Sequence, residues 1–306
     1  MSDFVQQHAV KCSFNSSDSW IILSPIEQSI KNKIEAIGKP LKEWDIKIYR
    51  GVLTGYNEAF IISTAKRDEI LANCSTEDER TRTADLIRPI LRGRDIKRYG
   101  YTWADLWLIA TFPSRHYNID DFPAVKSYLL SIGKERLEQT GKTHIIEGEK
   151  VKARKKTNNK WFETQDSISY WEDFSKPKIV WAETMRRHRT AEERFPRFSY
   201  DDEGFFLDKT CFMAISHHAN FIVVFLNSYI GEYLCGKYVS ILDNGGYLMQ
   251  KIYLENIPVP HFDDSIVEKI ASLKNTDEEA FETYLAQMMG FTDEEYAYIR
   301  ENTGKL

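Results

Sequence analysis

Apolar residues in this chain come only in short runs. The longest strongly apolar stretch is Phe221 to Leu226, far short of the roughly 20 residues a membrane-spanning helix needs. Strand-length runs at Trp44 to Tyr49, Glu58 to Ser63, Leu106 to Phe112, Pro177 to Glu183, Gly204 to Asp208 and Thr210 to Ser216 alternate with helical patterns at Ser24 to Ile37, Phe122 to Leu137 and Asn220 to Gly231. Such interleaving predicts a mixed α/β or α+β body, and no internal repeat breaks it. With 42% hydrophobic and 13% aromatic residues over 306 positions, the chain can fill a sizeable core. Cys12, Cys74, Cys211 and Cys235 lack any C-x-x-C or His spacing suited to zinc. Met1 to Val10 lacks the basic-then-apolar plan of a signal peptide. The expectation is a cytoplasmic protein with reduced thiols and no membrane attachment.

Charge divides the chain unevenly. The net charge is -5, yet residues 263–306 carry -7 and residues 1–262 carry +2. Pro258-Val-Pro260 marks the change, so the sequence predicts a lead-in at 1–23, a main domain at 24–262 and an acidic helical tail at 263–306, dispensable for folding. Ser24-Pro25 reads as an N-cap with proline at N1, and Thr276-Asp-Glu-Glu and Thr292-Asp-Glu-Glu open tail helices with acids in the first turn.

Catalytic constellations are not visible. No Pro-Pro exists to form an Asn/Asp-Pro-Pro-aromatic loop for a flipped base. Gly51-x-x-x-Gly55 lacks the Lys-Ser/Thr of a P-loop, and Gly245-Gly246 stands alone. Arg94-Asp-Ile-Lys97 is the nearest lookalike to a nuclease centre, with Asp95 better read as orienting neighbouring arginines. His217-His218 on a strand would point to opposite faces. Basic residues, by contrast, are concentrated: Arg88, Arg92, Arg94, Lys97 and Arg98 lie in one segment, and two loops, Glu147 to Lys160 and Thr184 to Phe198, are rich in Lys and Arg. Guanidinium groups can grip phosphates or fork onto guanine O6 and N7. Lys150 to Lys156 is expected to be disordered without DNA.

Arg50-Gly-Val-Leu-Thr-Gly-Tyr-Asn-Glu-Ala-Phe-Ile-Ile62 and Ile87-Arg-Pro-Ile-Leu-Arg-Gly-Arg-Asp-Ile-Lys-Arg-Tyr99, followed in order by Trp161-Phe-Glu-Thr-Gln165, Lys176-Pro-Lys-Ile-Val-Trp181, Phe225-Leu-Asn-Ser228 and Ile257-Pro-Val-Pro260, resemble the TaqI-like specificity domain of type IIG restriction enzymes and adenine-N6 DNA methyltransferases. The resemblance spans roughly residues 20 to 262. It implies a twisted-sheet target-recognition fold like that of type I specificity subunits, lying in the major groove of double-stranded DNA. It also implies a methyltransferase or endonuclease on the N-terminal side or in a partner, to which S-adenosylmethionine and Mg²⁺ would belong, with no cofactor in this chain.

The DNA-contact candidates are Arg50, Thr54, Tyr56, Asn57, Arg92, Arg94, Lys97, Arg98, Arg115, Lys155, Arg186, Arg187 and Arg189. In the Gly51 to Asn57 turn the polar groups serve either phosphate or the turn itself. Base readers are expected at Ser114 to Asn118 and Arg186 to Arg197. Two other functions compete: a metal-dependent nuclease built on Asp95 and Lys97, and a protein-interaction subunit docking through the acidic tail.

Overall fold

The computed structural model describes residues 23–187 and 194–303. The lead-in is outside this range except for Leu23, as is Arg189. The first helix forms at Pro25–Ile37. Ser24 Oγ accepts from the Glu27 amide, the Glu27 carboxylate accepts from the Ser24 amide, and Ile30 and Ile34 form the buried stripe. Gly38–Pro40 then pairs antiparallel with Pro258–Pro260, bringing the two ends of the expected main domain together.

The centre is a four-stranded antiparallel sheet in the order Phe198–Asp201, Lys178–Ala182, Cys211–Ile215, Lys47–Arg50. Every residue of Lys178–Ala182 is buried, because this sheet is covered on both faces. Ile179, Trp181, Phe212 and Ala214 pack into one hydrophobic core, while Val180, Cys211 and Met213, one position out of phase, pack into another. The second core also covers a sheet in which Phe206–Leu207 runs parallel to Ile87–Leu91, followed by antiparallel Leu106–Ile109 and Ile61–Ser63. A lysine opens the doubly buried strand: Lys178 is fully buried and pairs with Asp201 at 2.5 Å. Asp201 also accepts from the Glu203 and Phe205 amides, so the buried charges have the partners that such charges require.

The mixed α/β body is the one expected, with several local differences. Asn57–Phe60 is a helical turn, leaving Ile61–Ser63 as the strand. Gly133, at φ +106°, separates Pro123–Ile132 from Lys134–Leu137. The apolar helix breaks at Ser228 into Ala219–Asn227 and Tyr229–Tyr238, with Ser228 capping the Gly231 amide. A Cβ on Gly231 would lie 2.3 Å from the Phe225 carbonyl oxygen, so this turn requires glycine. Asn227 explains the Phe225-Leu-Asn-Ser228 motif. Its side chain both donates to and accepts from the Phe198 backbone, completing the edge strand Phe198–Asp201 from the helix side. Both His217 and His218 are exposed in the turn after Cys211–Ile215, rather than one facing the core.

Two larger expectations are corrected. Lys150 to Lys156 is ordered: Thr143–Ile146 and Glu149–Lys152 form a hairpin, and Arg154 is buried, donating to the carbonyls of Leu137, Thr54, Glu163 and Trp161. A guanidinium satisfied by four main-chain acceptors is a structural strut. The acidic tail forms Asp264–Thr276, Glu278–Met288 and Asp293–Asn302, but it is not a separate unit. Ile270, Phe281, Leu285, Met289 and Ile299 are buried in the same core as Ile30, Phe225 and Trp181. The change at Phe262 is one of charge, not of packing. Among the described residues no helix is long and apolar enough to cross a membrane.

Candidate nucleic-acid interface

The site begins where Ile87–Leu91 ends.

 Asp208 donates its amide to the Leu91 carbonyl, and Arg92 then opens the short turn Gly93–Asp95. The Asp95 carboxylate accepts from the Arg92 amide at 2.8 Å and from its guanidinium at 2.8 and 3.0 Å. Asp95 therefore orients a neighbouring arginine, as the sequence suggested, and holds the Arg92 guanidinium above its ordinary range. The Gly93 amide donates to Thr210 Oγ1 at 2.9 Å, and that hydroxyl donates to Asp208 at 2.5 Å. The Thr210 carbonyl accepts from the Glu183 amide, so the turn is tied to both sheets.

These ties leave a concavity of about 580 Å³ lined by Arg92, Arg94, Lys97, Arg186 and Arg197, with Glu183 and Asp208 as its acids. Both acids are already engaged. Glu183 accepts from Arg50 at 3.0 Å and from Gln250 at 2.9 Å, and Asp208 accepts from Thr210. Arg94 and Arg186 are exposed and meet no carboxylate among the described residues. Positive charge in a concavity whose own carboxylates are occupied favours an anionic ligand. Thr184, in the strand Thr184–Met185 that pairs with Tyr247–Leu248, also lines it.

The structure thus brings Arg92, Arg94, Lys97 and Arg186 together and sets the other candidates elsewhere. Arg50 lies beside them, held by Glu183 and the Lys209 carbonyl. Thr54 is fully buried, and its hydroxyl donates to Asn57 at 2.6 Å and accepts from the Tyr56 amide. Tyr56 pairs through its hydroxyl with Glu58 and Arg136. Thr54 therefore serves the turn itself, while Tyr56 is half-buried and Asn57 exposed beside it. The close approach of Gly51 is likewise to its own chain, because a Cβ there would lie 2.0 Å from the Asp208 carbonyl oxygen.

Arg98 and Arg187 are also corrected. Arg98 donates to the Asn227 carbonyl and to Glu278 at 2.6 Å, tying the main domain to the tail. Arg187 is nearly buried, 3.6 Å from Glu232 and over the rings of Phe195 and Tyr247. Lys155 is exposed beside the buried Arg154, away from the residues lining the concavity. Arg115 lines a different pocket, stacked at 3.8 Å on Trp171. Arg197, the last residue of the loop in which base readers were expected though not one of the individually named contacts, also lines the concavity. Among the described residues no group of three or more His, Cys, Asp or Glu could hold a metal ion.

The model of the TaqI-like C-terminal specificity domain matches residues 88–259. No curated protein sequence matches. Among solved structures, the type IIG restriction endonuclease BpuSI is similar to 90% of this chain at 12% identity with a TM-score of 0.52, over 31% of its own length. The type IIL restriction-modification enzyme MmeI, solved in complex with DNA, gives 12% identity and a TM-score of 0.47, covering 83% of this chain and 31% of its own. The chain therefore spans about a third of the length of the enzymes it matches.

Proposed function

Because this chain belongs to the TaqI-like C-terminal specificity domain family, we propose that it reads double-stranded DNA for a restriction-modification enzyme through the concavity between Arg94 and Arg186. The observation that carries this reading is the charge balance there: five basic side chains line the concavity with two acids, and both acids are occupied by internal donors. Arg94 and Arg186 supply phosphate or guanine contacts. Arg92 and Arg197 are held more firmly, Arg92 by Asp95 and Arg197 through the Arg186 carbonyl. Methyl transfer or cleavage belongs to a catalytic partner or domain, which carries S-adenosylmethionine and Mg²⁺, and the complex works on cytoplasmic DNA.

Selecting bound duplexes from a random library tests this reading. A sequence motif is expected from the chain with its catalytic partner. Replacement of Arg186 by Ala should cost roughly 1 to 3 kcal/mol on the selected site alone if it reads a base. Selection that returns no motif even with the partner present contradicts the proposal.

A further inference from the structure

Another pocket sits at the other end of the strand that feeds the basic concavity. It encloses about 410 Å³ and is lined by Leu86 and Arg88, whereas the concavity begins at Arg92. Three guanidinium groups, Arg82, Arg88 and Arg115, line it against a single acid, Asp85. Several arginines elsewhere are neutralised: Arg50, Arg92, Arg98, Arg187, Arg194 and Arg300 each meet a carboxylate. Arg82, Arg88 and Arg115 meet none among the described residues. Arg82 reaches only the Asp121 carbonyl at 3.4 Å, and Arg115 only the Tyr117 hydroxyl at 3.3 Å.

The rest of the lining is aromatic. Phe112, Phe122 and Phe206 are buried and form the inner wall, and half-buried Tyr117 and Trp171 complete it. The Arg115 guanidinium is 3.8 Å from the Trp171 ring centroid, and the Arg88 guanidinium is 5.9 Å from that of Phe206. Guanidinium and indole planes are surfaces on which a base can stack, and unpaired guanidinium groups are donors for phosphate. The volume falls within the roughly 300–1,000 Å³ usual for small-ligand pockets.

We propose that this pocket binds a nucleotide, its phosphate held by Arg82, Arg88 and Arg115 and its base against Trp171 and Tyr117. The nucleotide is either one unstacked from a bound duplex or a free mononucleotide. Only the first source rests on the DNA-reading proposal.

Calorimetry on the full chain with deoxyadenosine monophosphate, deoxyadenosine and inorganic phosphate tests the pocket directly. The monophosphate should bind at least about tenfold more tightly than either of the others, since each of them lacks one half of the contact. Arg88→Gln and Arg115→Gln should each weaken it by about tenfold, while replacement of the exposed Lys251 by Gln, outside both pockets, leaves it unchanged. Arg115 is exposed and Arg88 half-buried, and a thermal melt of each variant reports whether the fold survives. Equal binding of monophosphate and phosphate, no binding of monophosphate, or indifference to both variants overturns the inference. Where the monophosphate binds, a duplex with a one-nucleotide bulge identifies the source. A gain over the fully paired duplex that Arg88→Gln abolishes assigns a duplex nucleotide, and no gain assigns a free one. Retained binding of paired duplex with no monophosphate binding sinks the pocket alone. Retained monophosphate binding with no duplex binding sinks the DNA reading alone.

Discussion

Arginines from the same two stretches of sequence meet opposite fates in the basic concavity and at the contact between main domain and tail. Arg94 and Arg186 are exposed in the concavity without a carboxylate partner among the described residues. Arg98 and Arg194, their close neighbours in the chain, turn to Glu278 and Glu282 of the tail, and Arg187 turns to Glu232 of the main domain. Two of the acids of the tail, Glu278 and Glu282, are thus turned to arginines of the main domain. A basic run in a sequence reports how many cations are present, not which of them the fold leaves available.

Removal of the tail should have the largest effect. Truncation at Phe262 deletes Ile270, Phe281, Leu285, Met289 and Ile299 from the shared core. At roughly 1.5 to 3 kcal/mol for each buried side chain, the loss is comparable with the about 5 to 15 kcal/mol of a whole domain's stability. An insoluble or molten product is expected. A soluble domain that still melts cooperatively would restore the boundary suggested by the charge change.

Next in size is a pH effect at the same contact. Burial pushes the Glu282 carboxyl up to about 7, against the opposing pull of Arg194 and the Tyr229 amide. The folded chain then holds a proton that the unfolded chain has released between pH 4.5 and 7, so this group's contribution to stability falls as pH rises through that window. The wild type should lose on the order of 3 kcal/mol relative to Glu282→Gln between those limits. A difference in denaturant midpoint that is flat with pH would show that Glu282 ionises normally. Glu295 acts with the opposite sign. Burial raises its pKa, but bonds from Lys33, Ser29 and the Thr292 amide outweigh this and hold it at about 2, so its stabilisation is present above pH 4.5 and lost as pH falls toward 2.

Smaller still is the effect of Arg98→Ala, which leaves the Asn227 carbonyl and Glu278 without their donor. A loss of roughly 1 to 3 kcal/mol in stability is expected, with duplex affinity unchanged once the protein is folded. A melt like that of the wild type would remove Arg98 from the contact with the tail.

The strands and helices were legible because their signals are local. Ser24-Pro25 caps its helix, and the unbroken apolar run in Lys178–Ala182 marks a strand buried on both faces. What remained hidden depended on partners distant in sequence. Arg154 among its lysine neighbours looks like part of a phosphate clamp until Thr54, a hundred positions earlier, supplies one of its acceptors. Thr54 and Asn57 look available to DNA until they are seen bonded to one another. The tail's apolar face, Phe281 and Leu285, was visible as a stripe, but nothing in its spacing told a satellite helix from a wall of the main core.

The salt dependence of duplex binding by wild type, Arg94→Ala and Arg98→Ala, measured in parallel, tests the central claim most directly. If the concavity grips phosphate, Arg94→Ala should lower the slope of log K against log salt by about one unit with no loss of thermal stability. Arg98→Ala should leave that slope unchanged while lowering the melting temperature. A slope lowered by Arg98→Ala and untouched by Arg94→Ala would contradict the account, placing DNA at the contact with the tail instead of in the concavity.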